Sequence, residues 1–377
     1  MHTDSPTITA ADATSARTSS RSSRVERCEV VVIGGGQAGL AIGQQLAERG
    51  IDFLILDEHP HVGAQWRRRW DSLRLFTPAA YSGLPGMVFP SPPGHLPDKD
   101  EVANYLVRYA EHFELPIRSG TRVTALRQQR GLFVIETNCT TYEAAQVVVA
   151  TGPFQQPYVP AISSTLDPSI HQRHSSAYTS PFDLPDGAVL VVGAGPSGAQ
   201  IALELARFRK VWLSGRDTGH LPRRILGRDL FDWLWPVFRR ATADSRLGRA
   251  LRRRAGAGGD TLIGLPEATL QQAGVERLPP VRELRGGWPL CGDTVVQPRV
   301  ILWCTGFRSD YSWIDLPIFD ANGQPRHVRG AVPELPGLYF LGLRFQHRMT
   351  SSLLGGVGAD AIHLARLIGR YLTEPSD

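Results

Sequence analysis

The residues of this chain that could do chemistry begin with two glycine motifs. Both have the spacing GxGxxG, and each follows a short apolar run and opens a stretch of helical periodicity. The glycines are Gly34, Gly36 and Gly39 in the first motif and Gly193, Gly195 and Gly198 in the second. Such a turn lets the backbone approach a pyrophosphate at the helix N-terminus, where free N–H groups and the helix dipole favour negative charge. The spacing therefore predicts two dinucleotide sites.

The residues that follow the second strand of each unit differ in charge. Asp57 and Glu58 follow the apolar run FLIL in the first unit, and a carboxylate at this place accepts hydrogen bonds from ribose hydroxyls. In the second unit the run VWL leads to Ser214, Gly215 and Arg216. A guanidinium with a hydroxyl would bind a 2′-phosphate that a carboxylate would repel. We therefore predict NADPH in the second site and a dinucleotide without this phosphate in the first.

FAD is the predicted ligand of the first site. Two nicotinamides in one chain would offer no useful redox step, whereas NADPH facing a flavin allows hydride transfer to the flavin ring. The residues between the glycines, Gln37 and Ala38 in the first turn and Pro196 and Ser197 in the second, belong to the predicted sites. We assign no catalytic acid or base, because the flavin itself would perform the chemistry.

Both motifs require a βαβ scaffold, and the sequence provides it twice. The wholly apolar run from Val30 to Ile33 suits a parallel strand that is buried on both faces. The predicted fold class is therefore α/β, with two Rossmann-like dinucleotide-binding domains. About one domain length separates the two turns, so we expect the NADPH domain to be inserted into the FAD domain. The expected boundaries are a disordered tail at 1–27, the FAD domain at 28–180 and 309–377, and the NADPH domain at 181–308 with a helical, arginine-rich excursion at 221–259.

The composition indicates a globular protein and argues against several other classes of protein. Of the 377 residues, 42% are apolar and 20% are charged, as in ordinary globular proteins. The net charge of +5 is too modest to indicate nucleic acid without a dense basic patch. The four cysteines form no CxxC pair, which argues against a redox dithiol or a zinc site and favours a reducing cytoplasm. No apolar run reaches the ~18 residues of a membrane span, and no signal peptide is expected.

The segment from His61 to Pro90 is rich in glycine, proline and aromatic residues, which predicts an ordered, irregular and functional segment. Gly63, Gln65 and Trp66, followed by RWDSLRLFTP, resemble the segment that lines the flavin ring in flavin-containing monooxygenases. The resemblance is strongest to the bacterial branch often labelled as flavoproteins associated with cation transport. It implies that Gln65, Trp66 and Leu75 lie at the flavin. The alternative is that the aromatic residues here are core residues only.

Two further turns carry the resemblance. Each follows a buried strand and resembles a point where the chain of two-dinucleotide flavoproteins passes between its domains. They comprise Ala150, Thr151 and Gly152 in the first turn and Cys304, Thr305 and Gly306 in the second. Cys304 is expected to be a small buried residue rather than a nucleophile, since no partner is apparent that would activate it.

The resemblance and the charge pattern add further predicted contacts. By resemblance, Val123 would lend its backbone to the adenine of FAD. Arg223, with Arg224, is expected to help clamp the NADPH phosphates. In the closing segment, polar contacts to the flavin are expected from Gln346, Thr350, Ser351 and Ser352. The alternative for these four residues is a role in the loop and in capping a helix.

One motif matches the family only in part. Monooxygenases of this class carry a signature FxGxxxHxxxY, of which His174 and Tyr178 are present, while Pro168 and Ile170 replace the Phe and the Gly. His171 and His174 do not indicate a metal site, because no Cys, Asp or Glu beside them would complete a ligand set.

The resemblance implies an oxidoreductase. In such enzymes NADPH reduces FAD, O2 adds to the reduced ring as a hydroperoxide, and one oxygen atom passes to a small soft nucleophile or carbonyl substrate. Thr77 and Pro78 stand where many members carry an asparagine near the flavin, which leaves two alternatives open. One is an NADPH-dependent flavoprotein reductase or oxidase without oxygen insertion. The other is a regulatory flavoprotein that senses NADPH and is linked to cation transport.

The arginine-rich excursion has its own alternatives. Trp233 and Trp235 beside Arg239 and Arg240 would suit an interfacial helix that touches a membrane. Pro236 is expected to interrupt the helix. A lid or the surface of a homodimer is therefore the favoured interpretation.

Overall fold

The computed structural model describes residues 25–256 and 260–373. Within these residues the chain forms two large sheets flanked by helices, together with short ribbons of two or three strands. Residues 1–24 of the predicted tail lie outside the described residues, but the expected tail boundary at residue 27 is wrong, because the first strand begins at Val25. This strand is longer than its apolar run because the strand Thr141–Val149 pairs with it from Val25 onward.

The described residues form eight α-helices and twenty-one strands. The helices are α1 (Gln37–Ala47), α2 (Ala64–Arg67), α3 (Lys99–His112), α4 (Pro196–Leu205), α5 (Leu230–Arg240), α6 (Arg246–Gly256), α7 (Glu267–Gln272) and α8 (Gly358–Thr373). The first strands are β1 (Val25–Ile33), β2 (Phe53–Leu56), β3 (Ile117–Arg118), β4 (Val123–Gln129), β5 (Leu132–Thr137), β6 (Thr141–Val149) and β7 (Gln156–Pro157). They are followed by β8 (His171–His174), β9 (Val189–Val192), β10 (Val211–Ser214), β11 (His220–Leu221), β12 (Arg224–Ile225), β13 (Arg228–Asp229) and β14 (Leu262–Ile263). The last are β15 (Val275–Leu278), β16 (Val281–Arg285), β17 (Trp288–Cys291), β18 (Thr294–Val295), β19 (Val300–Trp303), β20 (Phe307–Arg308) and β21 (Leu338–Phe340).

The first sheet is built from distant parts of the chain. Its order is β3-β2-β1-β6-β5-β4, with β21 also paired to β6. The strands β1, β2, β3, β6 and β21 are parallel, whereas β4, β5 and β6 form an antiparallel ribbon. The C-terminal part of the chain therefore completes a sheet that begins at β1.

The second sheet has the order β15-β10-β9-β19-β8 and is wholly parallel. All five strands lie between β6 and β21 in the sequence, so this unit is inserted into the first. The predicted fold class, α/β with two Rossmann-like dinucleotide-binding domains, is confirmed. The other domain boundaries stay predictions, with one difference: β8 lies before the expected boundary at residue 180 but pairs with β19 of the second sheet.

The buried strands divide their side chains between two cores. Val30 and Val32 of β1 face a core shared with α1, α3 and α8, whereas Val31 and Ile33 face a core shared with β5 and β6. In the second unit, β9 divides its side chains between two cores in the same way. Burial on both faces fixes the position of the glycine turn that follows each strand.

The segment at 61–90 is ordered and irregular, as predicted, and it contains α2. α5 packs against this segment and runs through Pro236, so the expectation that this proline interrupts the helix is wrong. The cost of a proline inside a helix, ~3 kcal/mol, is offset by packing. Phe231 and Trp235 of α5 pack against aromatic side chains of the segment.

Two short strands connect the nucleotide-binding units. β7 leads into the second unit and β20 leads out of it, and the two pair antiparallel. The side-chain amide of Gln156 donates to Asp310, with 2.6 Å between Nε2 and Oδ2. The two crossings of the chain therefore lie side by side.

Candidate functional site

The first glycine turn contains two glycines that the fold requires and one that it does not. A Cβ on Gly34 would lie 2.7 Å from the carbonyl oxygen of Ala150, and one on Gly39 would lie 1.8 Å from that of Gly34. A Cβ on Gly36 would meet nothing within 4 Å. Gly36 is the N-cap of α1 and makes no side-chain cap, so Gln37 and Ala38 begin the helix beside open space.

The second glycine turn repeats this geometry. A Cβ on Gly193 would lie 2.2 Å from the carbonyl oxygen of Cys304, and one on Gly198 would lie 1.8 Å from that of Gly193. A Cβ on Gly195 would meet nothing within 4 Å. Gly195 is the N-cap of α4, and Pro196 at the first helical position needs no hydrogen-bond partner for its nitrogen. Ser197 follows in the same helical turn. Two open positions at helix N-termini without side-chain caps fit the pyrophosphates of two dinucleotides.

The turns after β6 and β19 close the back of the two glycine turns. Ala150 and Cys304 supply the carbonyl oxygens that exclude a side chain from the first glycine of each motif. Gly152 and Gly306 have φ angles of 71° and 84°, which favour glycine. The structure therefore brings each of the two sequence-predicted turns to one glycine motif.

The threonine hydroxyls of these turns make hydrogen bonds within the protein, and the thiol of Cys304 stays protonated. Thr151 accepts a hydrogen bond from Gln155, with 2.8 Å between Oγ1 and Nε2, and Thr305 donates to the carbonyl oxygen of Tyr158. Burial raises the pKa of the Cys304 thiol to about 12. Cys304 is thus a protonated thiol near neutral pH, which agrees with its expected structural role.

Equivalent hydrogen bonds align the ends of the second strands. Gly34 N donates to Leu56 O at 2.7 Å, and Gly193 N donates to Ser214 O at 2.8 Å. The residues that follow correspond as Asp57 with Gly215 and Glu58 with Arg216. The carboxylate of the first unit is therefore replaced by a hydrogen atom in the second, and a guanidinium follows at the next position.

The carboxylate of Asp57 is held against the first glycine turn. Its Oδ2 accepts from Gly35 N at 2.5 Å, and its Oδ1 accepts from His59 N at 2.7 Å. The ring of His59 lies between Asp57 and Gln65, with Nδ1 2.9 Å from Asp57 Oδ1 and Nε2 3.1 Å from Gln65 Oε1. The hydrogen bond to Asp57 raises the pKa of His59. Sequence analysis missed His59 because no motif spacing marks it, yet it links the predicted ribose acid to a predicted flavin contact.

Glu58 and Val123 lie near Asp57, but neither contacts the first glycine turn in the hydrogen bonds of the described residues. Glu58 forms an ion pair with Arg122, with 3.3 Å between Oε2 and Nε, and more than half of each side chain is exposed. The backbone of Asp57 accepts from Thr121 N at 2.8 Å, and Val123 begins β4 two residues later. The adenine contact expected of Val123 stays a prediction.

Ser214 does not present its hydroxyl to a ligand. The side chain is fully buried, donates to Pro279 O at 2.7 Å and accepts from Val281 N at 3.1 Å. The expectation that this hydroxyl binds a 2′-phosphate is therefore corrected, because the turn between β15 and β16 occupies it. Arg216 is exposed and is the candidate that remains for this phosphate.

Arg223 contacts the segment at 61–90 instead of the second glycine turn. Its Nε lies 2.8 Å from Asp229 Oδ2, and its Nη1 donates to Phe76 O at 2.6 Å. Arg224 is exposed on β12. These contacts tie the excursion to the predicted flavin-lining segment, and the clamp on NADPH phosphates expected of Arg223 with Arg224 stays a prediction.

His174 and Tyr178 brace the second glycine turn. The Nδ1 of His174 accepts from Ser176 N at 3.1 Å, so its Nε2 carries the proton and donates to Gly306 O at 3.0 Å. Burial lowers the pKa of His174, which keeps the ring neutral. Tyr178 is fully buried and donates to Glu204 of α4, with 2.6 Å between the hydroxyl and Oε2. The two signature residues thus position the inserted unit.

The segment at 61–90 lies at the boundary between the two units. Trp66 and Leu75 are partly buried and pack against the cores of both units, and Gln65 is exposed. The guanidinium of Arg69 lies over the ring of Phe307, 5.7 Å from its centroid. Sequence analysis missed Arg69, because its partner is about 240 residues away in the chain.

The closing segment returns to the first glycine turn. A Cβ on Gly342, which has a φ of 87°, would lie 3.0 Å from the Cβ of Ala38 in α1. Gln346 and Ser351 are buried, and each accepts a hydrogen bond from a loop N–H, at 3.3 Å and 2.9 Å. The same loop contains Thr350, which is buried, and Ser352, which is half-buried. The alternative role of these residues as loop residues accounts for the contacts described, and their contacts to a flavin stay predictions.

The described residues contain neither a candidate metal site nor a candidate membrane span. In residues 25–256 and 260–373, no group of three or more His, Cys, Asp or Glu side chains could hold a metal ion. No helix in the same ranges is both long enough and apolar enough to cross a membrane.

Comparisons with known proteins agree with this geometry. A family profile described as "Pyridine nucleotide-disulphide oxidoreductase" matches residues 31–233. The chain is 43% identical over 346 residues to the "Uncharacterized oxidoreductase CzcO-like" of Geobacillus kaustophilus (strain HTA426), which covers 89% of this chain and 97% of the relative. It is 36% identical over 208 residues to the "Probable indole-3-pyruvate monooxygenase YUCCA1" of Arabidopsis thaliana, across 53% of this chain and 50% of the relative. Among solved structures, the flavin-containing monooxygenase from Stenotrophomonas maltophilia is similar with a TM-score of 0.75 and 26% identity, over 92% of this chain and 99% of that one.

Proposed function

Because the chain belongs to the flavin-containing monooxygenase-like branch of the pyridine nucleotide-disulphide oxidoreductase family, we propose that it uses FAD and NADPH to insert one oxygen atom of O2 into a small organic substrate. Membership of this branch makes the chain a flavin monooxygenase-like oxidoreductase. FAD, NADPH, the oxygen insertion and the substrate class are our proposals.

One observation carries the choice of cofactors. Asp57, fixed by Gly35 N and His59 N, would accept hydrogen bonds from the ribose of FAD. The second unit has Gly215 at the equivalent position and Arg216 next to it, so a 2′-phosphate would meet a guanidinium and no carboxylate. This asymmetry supports FAD at the first glycine turn and NADPH at the second.

The side chains around the site would bind, orient and shield the cofactors. FAD, when bound, supplies the electron transfer and the oxygen activation. Trp66 and Leu75 pack against both units and would exclude water from the place where the two cofactors meet. His59 would hold the amide of Gln65 in place through its hydrogen bonds to Gln65 and Asp57.

An NADPH-dependent reductase or oxidase without oxygen insertion is a second candidate, and one observation favours it. Thr77 stands in place of the family asparagine, and its buried hydroxyl lies 3.1 Å from Ser82 Oγ. Because this hydroxyl already has a partner, it is a poorer hydrogen-bond donor to activated oxygen than a free amide would be.

Rapid mixing of the reduced protein with O2 tests the proposal. We expect an intermediate spectrum, distinct from those of the reduced and oxidised flavin, that decays faster when a substrate is present. A panel of sulfides, amines and ketones should then give at least one product that carries one oxygen atom from labelled O2. Direct return to the oxidised spectrum with every substrate, and no labelled product, would favour the second candidate.

We also propose the location and the remaining partners. We expect the cytoplasm as the location, because the four cysteines form no CxxC pair. We expect a small molecule and O2 as reactants and no nucleic acid, because a net charge of +5 is modest. A homodimer and a regulatory role linked to cation transport remain alternatives.

A further inference from the structure

The arginine-rich excursion exposes both apolar and basic side chains. The structure describes fourteen exposed large apolar side chains, and six of them lie between residues 221 and 247. They are Leu221, Ile225, Leu226, Trp233, Val237 and Leu247. Eight exposed arginines lie between residues 224 and 253. We call the exposed side of residues 221–253 the arginine-rich face.

The charge of the chain is concentrated in this excursion. Residues 221–256 contain ten arginines, three aspartates and no other charged residue, which gives a net charge of +7. The rest of the chain contains 31 basic and 33 acidic residues, which gives −2. The net positive charge of the protein therefore comes from this segment, and it would attract a negatively charged surface.

The most exposed apolar side chain lies at the tip of a hairpin. Leu226, 87% exposed, connects β12 to β13 with a left-handed φ of 51°. Trp233 of α5 supports the tip, because its Nε1 donates to Ile225 O at 3.3 Å. The guanidinium of Arg228 lies over the ring of Trp233, 5.7 Å from its centroid. The tip is thus a convex apolar projection with arginines beside it.

The opposite side of α5 is already occupied. Phe231 and Trp235 are buried against aromatic side chains of the segment at 61–90. After α5, Ala243 N donates to His347 O of the closing segment at 2.6 Å. The excursion therefore rests on two segments predicted to flank the flavin, and the arginine-rich face points away from them.

We propose that the arginine-rich face docks on an anionic lipid bilayer, with Leu226 and Trp233 at the level of the headgroups. A projecting apolar tip can enter the soft boundary of a bilayer, whereas an acidic protein would need a groove to receive it. Arginines spread over about thirty residues match a surface of mobile negative headgroups. The proposal does not depend on the proposed enzymatic activity, because Leu226, Arg228 and Trp233 are not among the predicted nucleotide contacts.

Sedimentation of the full-length holoprotein with vesicles tests the proposal. We expect the protein to sediment with vesicles of phosphatidylcholine containing about one quarter phosphatidylglycerol, and to remain in the supernatant with pure phosphatidylcholine. Added salt should release it, because exposed charges are screened. Failure of the wild type to bind the anionic vesicles would overturn the proposal.

Matched variants separate the apolar and the basic contributions. Leu226→Asn should weaken vesicle binding at least about tenfold, and asparagine tolerates the left-handed backbone at this position. Phe182→Asn is the control, because Phe182 is 78% exposed at a surface outside the excursion. Arg228→Gln with Arg246→Gln, both at exposed positions, should weaken binding by about fivefold per arginine.

The FAD content of each variant reports on folding independently of the vesicles. If the control weakened binding as much as Leu226→Asn, or if the wild type bound another copy of itself or an acidic protein but no anionic vesicle, the proposal would be wrong.

Discussion

Gly36 and Gly39 of the first motif have different roles. The fold requires Gly39, whereas the proposed ligand requires Gly36. A Cβ on Gly39 would lie 1.8 Å from the carbonyl oxygen of Gly34, whereas a Cβ on Gly36 would meet no protein atom within 4 Å. We therefore expect Gly39→Ala to destabilise the apoprotein by about 1–3 kcal/mol or more. We expect Gly36→Ala to leave that stability nearly unchanged and to weaken FAD binding at least about tenfold, because its methyl group would occupy the pyrophosphate position.

Urea unfolding of the apoprotein and fluorescence titration with FAD measure these two effects separately. Gly195→Ala provides the matched control, because the same open position occurs at the second turn. This variant should bind FAD normally and lose reduction by NADPH. Equal losses of FAD affinity in Gly36→Ala and Gly195→Ala would contradict the assignment of one cofactor to each turn.

A buried histidine in the closing segment makes stability depend on pH. His347 is 7% exposed, and burial, together with Arg329 and Arg348, lowers its pKa to about 4. Because an unfolded histidine titrates near 6.5, the unfolded chain binds this proton at a higher pH than the folded one. Protonation of His347 therefore does not affect the free energy of unfolding above about pH 7. It lowers this free energy progressively as the pH falls from about 6.5 to about 4.

The variant His347→Gln should lose less stability than the wild type over this pH interval. Urea unfolding at a series of pH values measures the slope, and His61→Gln, at an exposed position, is the control. Parallel curves for the wild type and His347→Gln would show that this histidine does not titrate as described.

At the scale of single residues, sequence predicts what local spacing determines. The glycines, Asp57 and Arg216 could be chosen because the βαβ unit places them. The hydrogen bonds of Ser214 could not be predicted, because the turn that occupies its hydroxyl comes 65 residues later. Arg223 likewise binds a carbonyl oxygen of Phe76 that lies 147 residues earlier.

At the scale of elements, α5 joins the excursion to the segment at 61–90. Phe231 stacks on Phe76 with ring centroids 6.2 Å apart, and Tyr81 donates to Asp232, with 2.5 Å between its hydroxyl and Oδ1. Phe231→Ala should release α5 from this segment, since truncating a buried Phe costs about 3–5 kcal/mol. We expect local release, because Phe231 is one of only three buried side chains in α5, with Leu230 and Trp235.

Limited trypsin digestion should detect this release. Cleavage after Arg239 or Arg240 should be at least about tenfold faster in Phe231→Ala than in the wild type. Trp233→Ala is the control on the same helix, because Trp233 is 44% exposed. Equal cleavage rates in the two variants would mean that Phe231 does not anchor α5.

A helix or strand can be predicted from the sequence when residues close to it in the chain determine it. The strands and helices of both βαβ units follow from apolar runs, glycine turns and helical periodicity. α3 was also predictable, since Asp98 and Glu101 form a capping box at its start. The course of α5 through Pro236 was not, because packing against a distant aromatic segment outweighs the local preference of proline.

At the scale of the whole molecule, the insertion of one unit into the other determines where the cofactors would meet. β7 and β20 lie side by side, and Arg308 of β20 lies over the ring of Tyr158, 4.2 Å from its centroid. The turns at 150–152 and 304–306, which contact the two glycine motifs, lead directly to β7 and β20. We therefore expect a nicotinamide at one motif to face a flavin at the other. The sequence predicted the insertion from spacing, whereas the paired linkers and the place of β8 in the second sheet depend on strand pairing between distant residues.

The most direct test of the central claim is anaerobic reduction of the purified flavoprotein by NADPH and by NADH, in the wild type and in Arg216→Ala. We expect the wild type to contain FAD and to be reduced faster by NADPH. The variant should keep its FAD and lose this preference by about tenfold or more, because a charge-assisted hydrogen bond to the 2′-phosphate is lost. A preference for NADPH that survives in Arg216→Ala, or a purified protein that neither contains nor binds FAD, would contradict the claim that the two turns hold FAD and NADPH.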